Sequence, residues 1–545
     1  MRFADKVVYQ IYPKSFYDTN GDGLGDLAGV TAKLPYLQEL GVDYLWLTPF
    51  FISPQKDNGY DVTDYCAIDE RFGTMADFEH LVAEAKKRGI GLMLDMVFNH
   101  TSSASTWFQK ALAGEARYQD YYIFRAGKGD QPPTNWASKF GGSAWEYVPS
   151  LKKWYLHLFD ISQPDLNWEN PQVREELKKV IRFWQTKGVE GFRFDVINLI
   201  SKPAEFEDDL EGDGRRFYTD GRHVHAFLKE LVRDTGLQTF ITVGEMSSTS
   251  LENCILYSNP QEKELSMTFS FHHLKVDYKD GNKWALQKPD FMALKNLFQT
   301  WQEKMAESGG WNALFWCNHD QPRIVSRFGD EGKYWAKSAK MLAAAIHFMR
   351  GTPYIYQGEE LGMKNAHFTS IDQYRDVESL NNYRILLEQG HSQEEALSVL
   401  AAHSRDNGRI PMAWDASAHA GFTTGEPWIS MPSDYQQVNA AAELQDPDSI
   451  FHFYQKLIQL RKQNPIIAEG AIHFLEKENA QVLAYERTLG EAHMRVYCNL
   501  TDQTAKITKP LDTYLQAGYQ KFLGNDEGLQ ASLRPFEFVV LYKEK

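Results

Sequence analysis

Short, nearly continuous apolar runs recur along the chain, and stretches of helical period lie between most of them. VVYQIYP at 7–13 reads as a strand and LAGVTAKLPYLQELG at 27–41 as a helix. VDYLWLTP at 42–49 is the next strand, DFEHLVAEAKKRG at 77–89 the next helix, and GLMLDMVFNH at 91–100 a third strand. Further strands are expected at GFRFDVINL (191–199), FITVGEM (240–246), LSMTFSF (265–271), NALFWCNHD (312–320) and TPYIYQGEE (352–360). Helical segments such as VREELKKVIRFWQTKG (173–188) fall between them. Strands without polar alternation, interleaved with amphipathic helices, imply a parallel sheet covered on both faces. Eight such units predict an α/β fold of the (β/α)8 TIM-barrel type.

Two intervals break the rhythm. Residues 101–170 are rich in Trp, Gly, Ser and Pro and show no helix–strand repeat, which suggests a domain inserted after the third strand. From about residue 475 the pattern becomes alternating, in VLAYERTL, AHMRVYCNL and FEFVVLYK, as in a small antiparallel β-sandwich-like domain. The expected division is a barrel of 1–100 and 171–474, an insertion of 101–170 and a C-terminal β domain of 475–545.

Charge narrows the partners. A net charge of −15 argues against nonspecific nucleic-acid binding, which runs on basic surface. It also requires that an anionic substrate meet a local basic patch set against the overall field. The four cysteines, Cys66, Cys254, Cys317 and Cys498, are scattered and form neither a disulfide framework nor a zinc spacing. The N-terminus MRFADKVVYQIYP has no signal-peptide apolar core, and no long apolar run suggests a membrane span. A soluble cytoplasmic protein is expected, and a monomer is assumed because oligomeric state is not legible.

Polar residues gather where the strands end. Asp95, Asn99 and His100 close the third strand, Arg193 and Asp195 lie on the fourth, Glu245 ends the fifth, and His319 and Asp320 end the seventh. Asp61 follows the second. A single Asp at a strand end commonly caps the next helix. Several acids, two histidines and an arginine on one rim suit catalysis better, because a barrel carries its chemistry at the carboxyl ends of its strands. Two carboxylates flanking a bond can hydrolyse a glycoside, one as nucleophile and the other as acid and then base. Arg193 and Asp195, two apart on a strand, share a face, so the arginine can keep the nucleophile ionised. The acid, in contrast, needs a pKa raised toward neutrality.

DMVFNH, GFRFDVIN, VGEM and FWCNHD, in that order, resemble the sequence motifs of the α-amylase family of glycoside hydrolases. GVDYLWLTPF, QPDLNWENP and GTPYIYQGEE match the flanking motifs. The resemblance implies Asp195 as nucleophile, Glu245 as general acid/base and Asp320 as transition-state stabiliser, with Asp95, His100, Arg193 and His319 holding the first sugar. It also implies a retaining mechanism, in which the two reacting carboxyls stand roughly 5 Å apart. QPDLNW points to the exo-acting oligo-1,6-glucosidase subgroup, which closes its pocket with an Asp–Arg pair. The matching residues are Asp61, beside Tyr60 in GYDV, and Arg409 in SRDNGRIPMAW. Val196, after the nucleophile, accompanies action on linkages other than α-1,4 in this group.

GDGRRFYTDG (212–221), GEMSSTSLE (244–252) and ELSMTFSFHHLKVDY (264–278) resemble the branch of that subgroup that acts on a phosphorylated disaccharide. The expected products are glucose and glucose 6-phosphate; the alternative is action on isomalto-oligosaccharides. A dianionic substrate demands cations, and Lys275, Lys283, Arg215 and Arg216 are the candidates in these segments.

FYDTNGDGLGD at 16–26 has calcium-loop spacing. Asp18, Asn20 and Asp22 stand at loop positions 1, 3 and 5, Leu24 can offer its carbonyl, and Asp26 stands at position 9. Position 12, where a sensor keeps its bidentate Glu, is Gly29. The expectation is one structural calcium outside the chemistry, which the resemblance also implies; the metal-free alternative is a set of Asx turns.

Overall fold

A computed structural model describes residues 3–544. Eight parallel strands form its centre: β1 (Val8–Ile11), β2 (Tyr44–Leu47), β3 (Gly91–Met96), β4 (Gly191–Phe194), β5 (Ile241–Met246), β6 (Met267–Ser270), β7 (Ala313–Leu314) and β8 (Thr352–Tyr356). Each pairs with the next, and β1 pairs with β8. A parallel bridge between Thr268 and Asn312 joins β6 to the start of β7 and closes the ring. This is the (β/α)8 barrel.

The strands are shorter than the apolar runs that signalled them. NALFWCNHD contributes only Ala313–Leu314 to the sheet, and β4 stops at Phe194. The remainder of each run leaves the ladder at the carboxyl rim, which frees those residues for a site. The helix expected at 27–41 is two helices, Leu27–Ala32 and Leu34–Leu40. Pro35 lacks an N–H and fits only in the first turn of a helix, so the chain restarts at Lys33.

The interval 101–170 carries the helix Thr106–Leu112 and a three-stranded antiparallel sheet of Phe124–Arg125, Lys153–Leu156 and Trp145–Val148. Its small core of Trp136, Trp145, Leu156 and Leu158 also takes in Val196 and Leu199, from just after β4. The insertion is therefore packed onto the rim of the barrel. The C-terminal five-stranded antiparallel sheet opens at Ala471–Leu475, a little upstream of residue 475, directly after Gly470 ends the preceding helix. Buried Arg487 ties this sheet to the barrel by donating to the carbonyls of Phe348, Ile467 and Gly470. Among the described residues no helix is long and apolar enough to cross a membrane.

Candidate active site

The barrel register places Asp95 on β3 opposite Arg193 on β4. Both are buried, and Arg193 Nη1 donates to Asp95 Oδ1 at 2.6 Å and to Asp195 Oδ1 at 2.7 Å. Its Nη2 touches Glu245 Oε2. One guanidinium thus gathers three carboxylates from three adjacent strand ends. Burial alone would lower the Arg193 pKa, but Asp95 and Asp195 hold it above the ordinary arginine range. Burial, together with Asp195, pushes Asp95 up to about 7 against the pull of Arg193. Trp46 Nε1 and the Tyr60 hydroxyl both donate to Asp95 Oδ2, at 3.1 and 2.9 Å.

The other side of the cavity carries Asp320. Burial would raise its pKa, but His319, Arg405 and Arg409 hold it well below the carboxylate range. His319 Nε2 lies 3.2 Å from Asp320 Oδ2, and its Nδ1 lies 2.8 Å from Gln10 Nε2. Tyr60 stacks on the His319 ring at 5.0 Å, almost parallel. Burial lowers the pKa of both His100 and His319 below the ordinary imidazole range. Asp57, Tyr60, His100, Phe140, Phe159 and Asp195 face one cavity, as do Glu245, Asp320 and Arg405.

Val196, next to Asp195, has φ 36° and ψ 39°, a left-handed conformation that strains a β-branched residue. Its side chain contributes to the cavity wall and to the core of the insertion, which over-determines the turn.

The expected Asp61–Arg409 pair does not form. Asp61 turns into its own loop, accepting from Ser53 Oγ at 2.9 Å, Lys56 N at 3.0 Å and Asp57 N at 3.1 Å. Arg409 donates to Asp320 Oδ1 at 2.8 Å and to the His319 carbonyl at 2.9 Å. The Asp–Arg pair forms four residues earlier on both sides: Arg405 Nη2 meets Asp57 Oδ1 at 3.0 Å. The loop folded around Asp61 pushes Asp57 into the cavity, and one turn of helix carries Arg405 and Arg409 on a common face. Replacing Asp57 with Ala is expected to raise KM for every glucoside by about tenfold or more, because it leaves the buried Arg405 short of a partner. Replacing Asp61 with Ala is expected chiefly to lower Tm. Equal KM changes in the two variants would show that the pair has been misassigned.

QPDLNW, legible only as a family marker, has a mechanical reason. Gln163 Nε2 reaches Asp57 Oδ2 at 3.0 Å and His100 Nε2 at 3.2 Å. Asp165 Oδ2 receives Asn99 Nδ2 at 3.0 Å and buried Lys202 at 2.8 Å. The motif therefore fastens the insertion to the end of β3.

The four proposed phosphate ligands divide. Lys275 lines a second cavity that shares Glu245, Asp320 and Gln321 with the first and adds Ser247, Ser248 and Tyr278. Lys283 lies in the first cavity, neutralised by Glu378 at 2.7 Å. Arg215 forks onto Asp213, with Nε 3.0 Å from both oxygens, and adds its field to that at Lys275. Arg216 is held by Asp209 and Glu211, at 3.0 and 3.2 Å, which occupies it as a structural cation. A further residue, Lys139 of the insertion, lines the first cavity, and its Nζ lies 3.2 Å from Ser247 Oγ of the second. Neither Lys139 nor Lys275 pairs with a carboxylate among the described residues. The sequence holds no spacing signal for Lys139, since it arrives from a segment without periodicity.

In the loop 16–26, Asp18 Oδ1 accepts from the amides of Asn20 and Gly21, and Oδ2 from Gly23. Asn20 Oδ1 accepts from Asp22 N and Asp22 Oδ1 from Leu24 N. Asp26 is the N-cap of Leu27–Ala32, with its oxygens taken by Gly29 N and by Thr19.

A barrel whose carboxyl rim sets three carboxylates on one arginine, with a fourth across the cavity, has the equipment of a glycoside hydrolase. The α-amylase catalytic-domain model matches residues 10–470, and the chain belongs to the α-amylase family. It is 54% identical to the trehalose-6-phosphate hydrolase of Escherichia coli (strain K12) over 539 residues, covering 98% of this chain and 97% of the relative. It is 46% identical to the oligo-1,6-glucosidase of Parageobacillus thermoglucosidasius over 550 residues, covering 98% of both. The crystal structure of Bacillus licheniformis trehalose-6-phosphate hydrolase superposes with a TM-score of 0.94 at 51% identity, over 99% of both chains.

Proposed function

We propose that this chain is an exo-acting retaining α-glucosidase that hydrolyses α,α-trehalose 6-phosphate to glucose and glucose 6-phosphate. The observation that carries the choice of substrate is a pair of lysines, Lys139 and Lys275, that have no ion-pair partner among the described residues and line cavities beside Glu245 in a protein of net charge −15. Cations at a cavity wall favour an anion. The similarity to enzymes named for that substrate supports the same reading.

The unphosphorylated glucose fills the cavity closed by Asp57 and Arg405, and the phosphorylated one lies outward, toward Lys275. An Asp195 oxygen attacks the anomeric carbon while Glu245 protonates the glycosidic oxygen, and glucose 6-phosphate leaves. Glu245 then deprotonates a water that displaces Asp195, so that glucose leaves with its configuration retained. Asp320, kept ionised by His319 and the two arginines, stabilises the positive charge that develops on the sugar ring. Arg193 Nη1 donates to Asp195 Oδ1 and so fixes the orientation of the attacking carboxylate. The free cysteines and the phosphorylated substrate suit a cytoplasmic enzyme.

The test is a parallel assay of trehalose 6-phosphate, trehalose and isomaltose. Trehalose 6-phosphate is expected to have the highest kcat/KM. Isomaltose as the best substrate would overturn the reading in favour of an oligo-1,6-glucosidase.

The loop 16–26 is proposed to hold one structural calcium through Asp18, Asn20, Asp22 and the Leu24 carbonyl. No cluster of three His, Cys, Asp or Glu side chains converges there among the described residues, but calcium also takes amide and carbonyl oxygens. Asn20 Oδ1 and the Asp22 carboxylate keep lone pairs toward the loop centre, whereas Asp18 accepts from Asn20 N, Gly21 N, Gly23 N and Thr423 Oγ1 and must release some of these to take the ion. Asp26, engaged as the helix cap, is left out of the set. Excess chelator is expected to lower Tm by several degrees, with recovery on adding calcium and little change in kcat. A Tm indifferent to both would leave only the Asx turns.

A further inference from the structure

We propose that Asp376 is a positioning residue of the sugar cavity, a buried anion that aims Arg405 and Arg409 at Asp57 and Asp320. The inference rests on the reading of that cavity as the glucose site.

Asp376 lies outside the eight strand ends, as the N-cap of the helix Val377–Glu388. It is fully buried and does not line the cavity. Its Oδ2 carries most of the cap, accepting from Ser379 N at 3.0 Å and Ser379 Oγ at 2.7 Å, while Oδ1 takes a long contact of 3.4 Å from Glu378 N. A neutral Asn or Ser would serve as well for that purpose. The other oxygen does something a cap does not require. Oδ1 accepts from Arg405 Nη2 at 2.6 Å and Nε at 2.9 Å, and stands 3.5 Å from Arg409 Nη1.

The donors that Asp376 leaves over point at the site. Arg405 Nη2 also meets Asp57 Oδ1 at 3.0 Å, and Arg405 Nη1 meets Asp320 Oδ1 at 3.3 Å. Arg409 Nη2 meets the same Asp320 oxygen at 2.8 Å. Two guanidiniums four residues apart repel each other, and burial sharpens the repulsion. An anion touching both offsets it and fixes each fork in one orientation. Arg405 also has Glu378 at 3.4 Å, but that carboxylate already holds Lys283. Asp406 Oδ2 accepts from the backbone N–H groups of Arg375 and Asp376, which fixes the anion itself. Asp376 thus acts on the sugar only through the arginines.

The test compares purified full-length Asp376→Asn, Asp376→Glu and Ser379→Ala with wild type. Each is assayed for Tm, for kcat and KM on p-nitrophenyl α-glucoside, and for competitive inhibition by glucose, a direct ligand of the closed cavity. Asp376→Asn keeps the cap and the volume and removes the charge. It is expected to raise KM and the glucose inhibition constant together, by about tenfold, and to change kcat by less. Asp376→Glu is expected to recover part of that loss. Ser379→Ala keeps the charge and the N–H cap and removes the Oγ contacts to Asp376 and Ser404, so Tm falls while both constants change by less than about threefold. If Asp376→Asn lowers Tm with KM and glucose inhibition unchanged, Asp376 is only a cap and the proposal fails. Should the Asn variant not fold, Asp376→Glu decides: a raised glucose inhibition constant at near-wild-type Tm supports the role, and an unchanged constant overturns it. A wild-type enzyme that glucose does not inhibit competitively would instead sink the reading of the cavity.

Discussion

Replacing Asp195 with Ala is expected to lower kcat by about 10⁴-fold or more, as loss of a nucleophile does in other enzymes with covalent intermediates. The expectation comes from position: Asp195 lies one residue beyond β4, with Oδ1 on Arg193 and its backbone N–H bound to the Met96 carbonyl at 3.0 Å. Azide gives the more discriminating result. In the Asp195→Ala variant a small external anion can enter from the nucleophile's side, so activity on an activated glucoside should return with a β-glucosyl azide product. In a Glu245→Ala variant the covalent intermediate still forms, and azide should give the α product. Exchange of the two stereochemical outcomes would reverse the assigned roles. Absence of rescue together with a kcat reduced less than about tenfold would remove Asp195 from the covalent step.

The second large effect concerns the phosphate. Each charge-assisted contact to an anion is worth about 1.5–3 kcal/mol, or roughly 10- to 100-fold in affinity. Lys275→Ala is expected to raise KM for trehalose 6-phosphate by about tenfold, and the double change with Lys139→Ala by about 100-fold or more. p-Nitrophenyl α-glucoside, which has no phosphate, should change by less than about threefold. Added salt should raise KM only for the phosphorylated substrate, since surface charge is screened over about 10 Å at 0.1 M. Lys139 adds a pH signature. Burial, then Arg215, lowers its pKa to about 7. It is therefore protonated and attractive below that pH and increasingly neutral above it. kcat/KM for trehalose 6-phosphate, which reports the free enzyme, should fall above about pH 7 by a component that disappears in Lys139→Ala. Equal losses for both substrates would place the lysines in sugar binding or in folding, not at the phosphate.

These residues also show how far one-dimensional reading reaches. Asp95, Arg193, Asp195, Glu245, His319 and Asp320 were legible because each lies at the end of an apolar run, and a parallel barrel must bring all its strand ends to one rim. The sheet meets that expectation, with Asp95 and Arg193 in direct register. The Asp–Arg pair failed for a local reason. Asp57 and Asp61 both stand in KDNGYD, and Arg405 and Arg409 both in SRDNGR, so either member of each motif could face the cavity. Hydrogen bonds from Ser53, Lys56 and Asp57 to Asp61 settle the first choice, and Asp376 bears on the second. Lys139 and Asp376 had no legible signal, one lying in an aperiodic insertion and the other looking like an ordinary helix cap.

The order of apolar runs was enough for the barrel, the position of the insertion and the ring of acids. Those follow from periodicity, and periodicity is a property of neighbours in the chain. Which cations remain without counterions, which of two adjacent acids enters the cavity, and which buried anion aims the arginines are contacts between segments far apart. Arg405 meets Asp57 across 348 positions and Lys139 meets Ser247 across 108. A charge is paired or free only with respect to everything packed around it, so those choices came into view only with the folded chain.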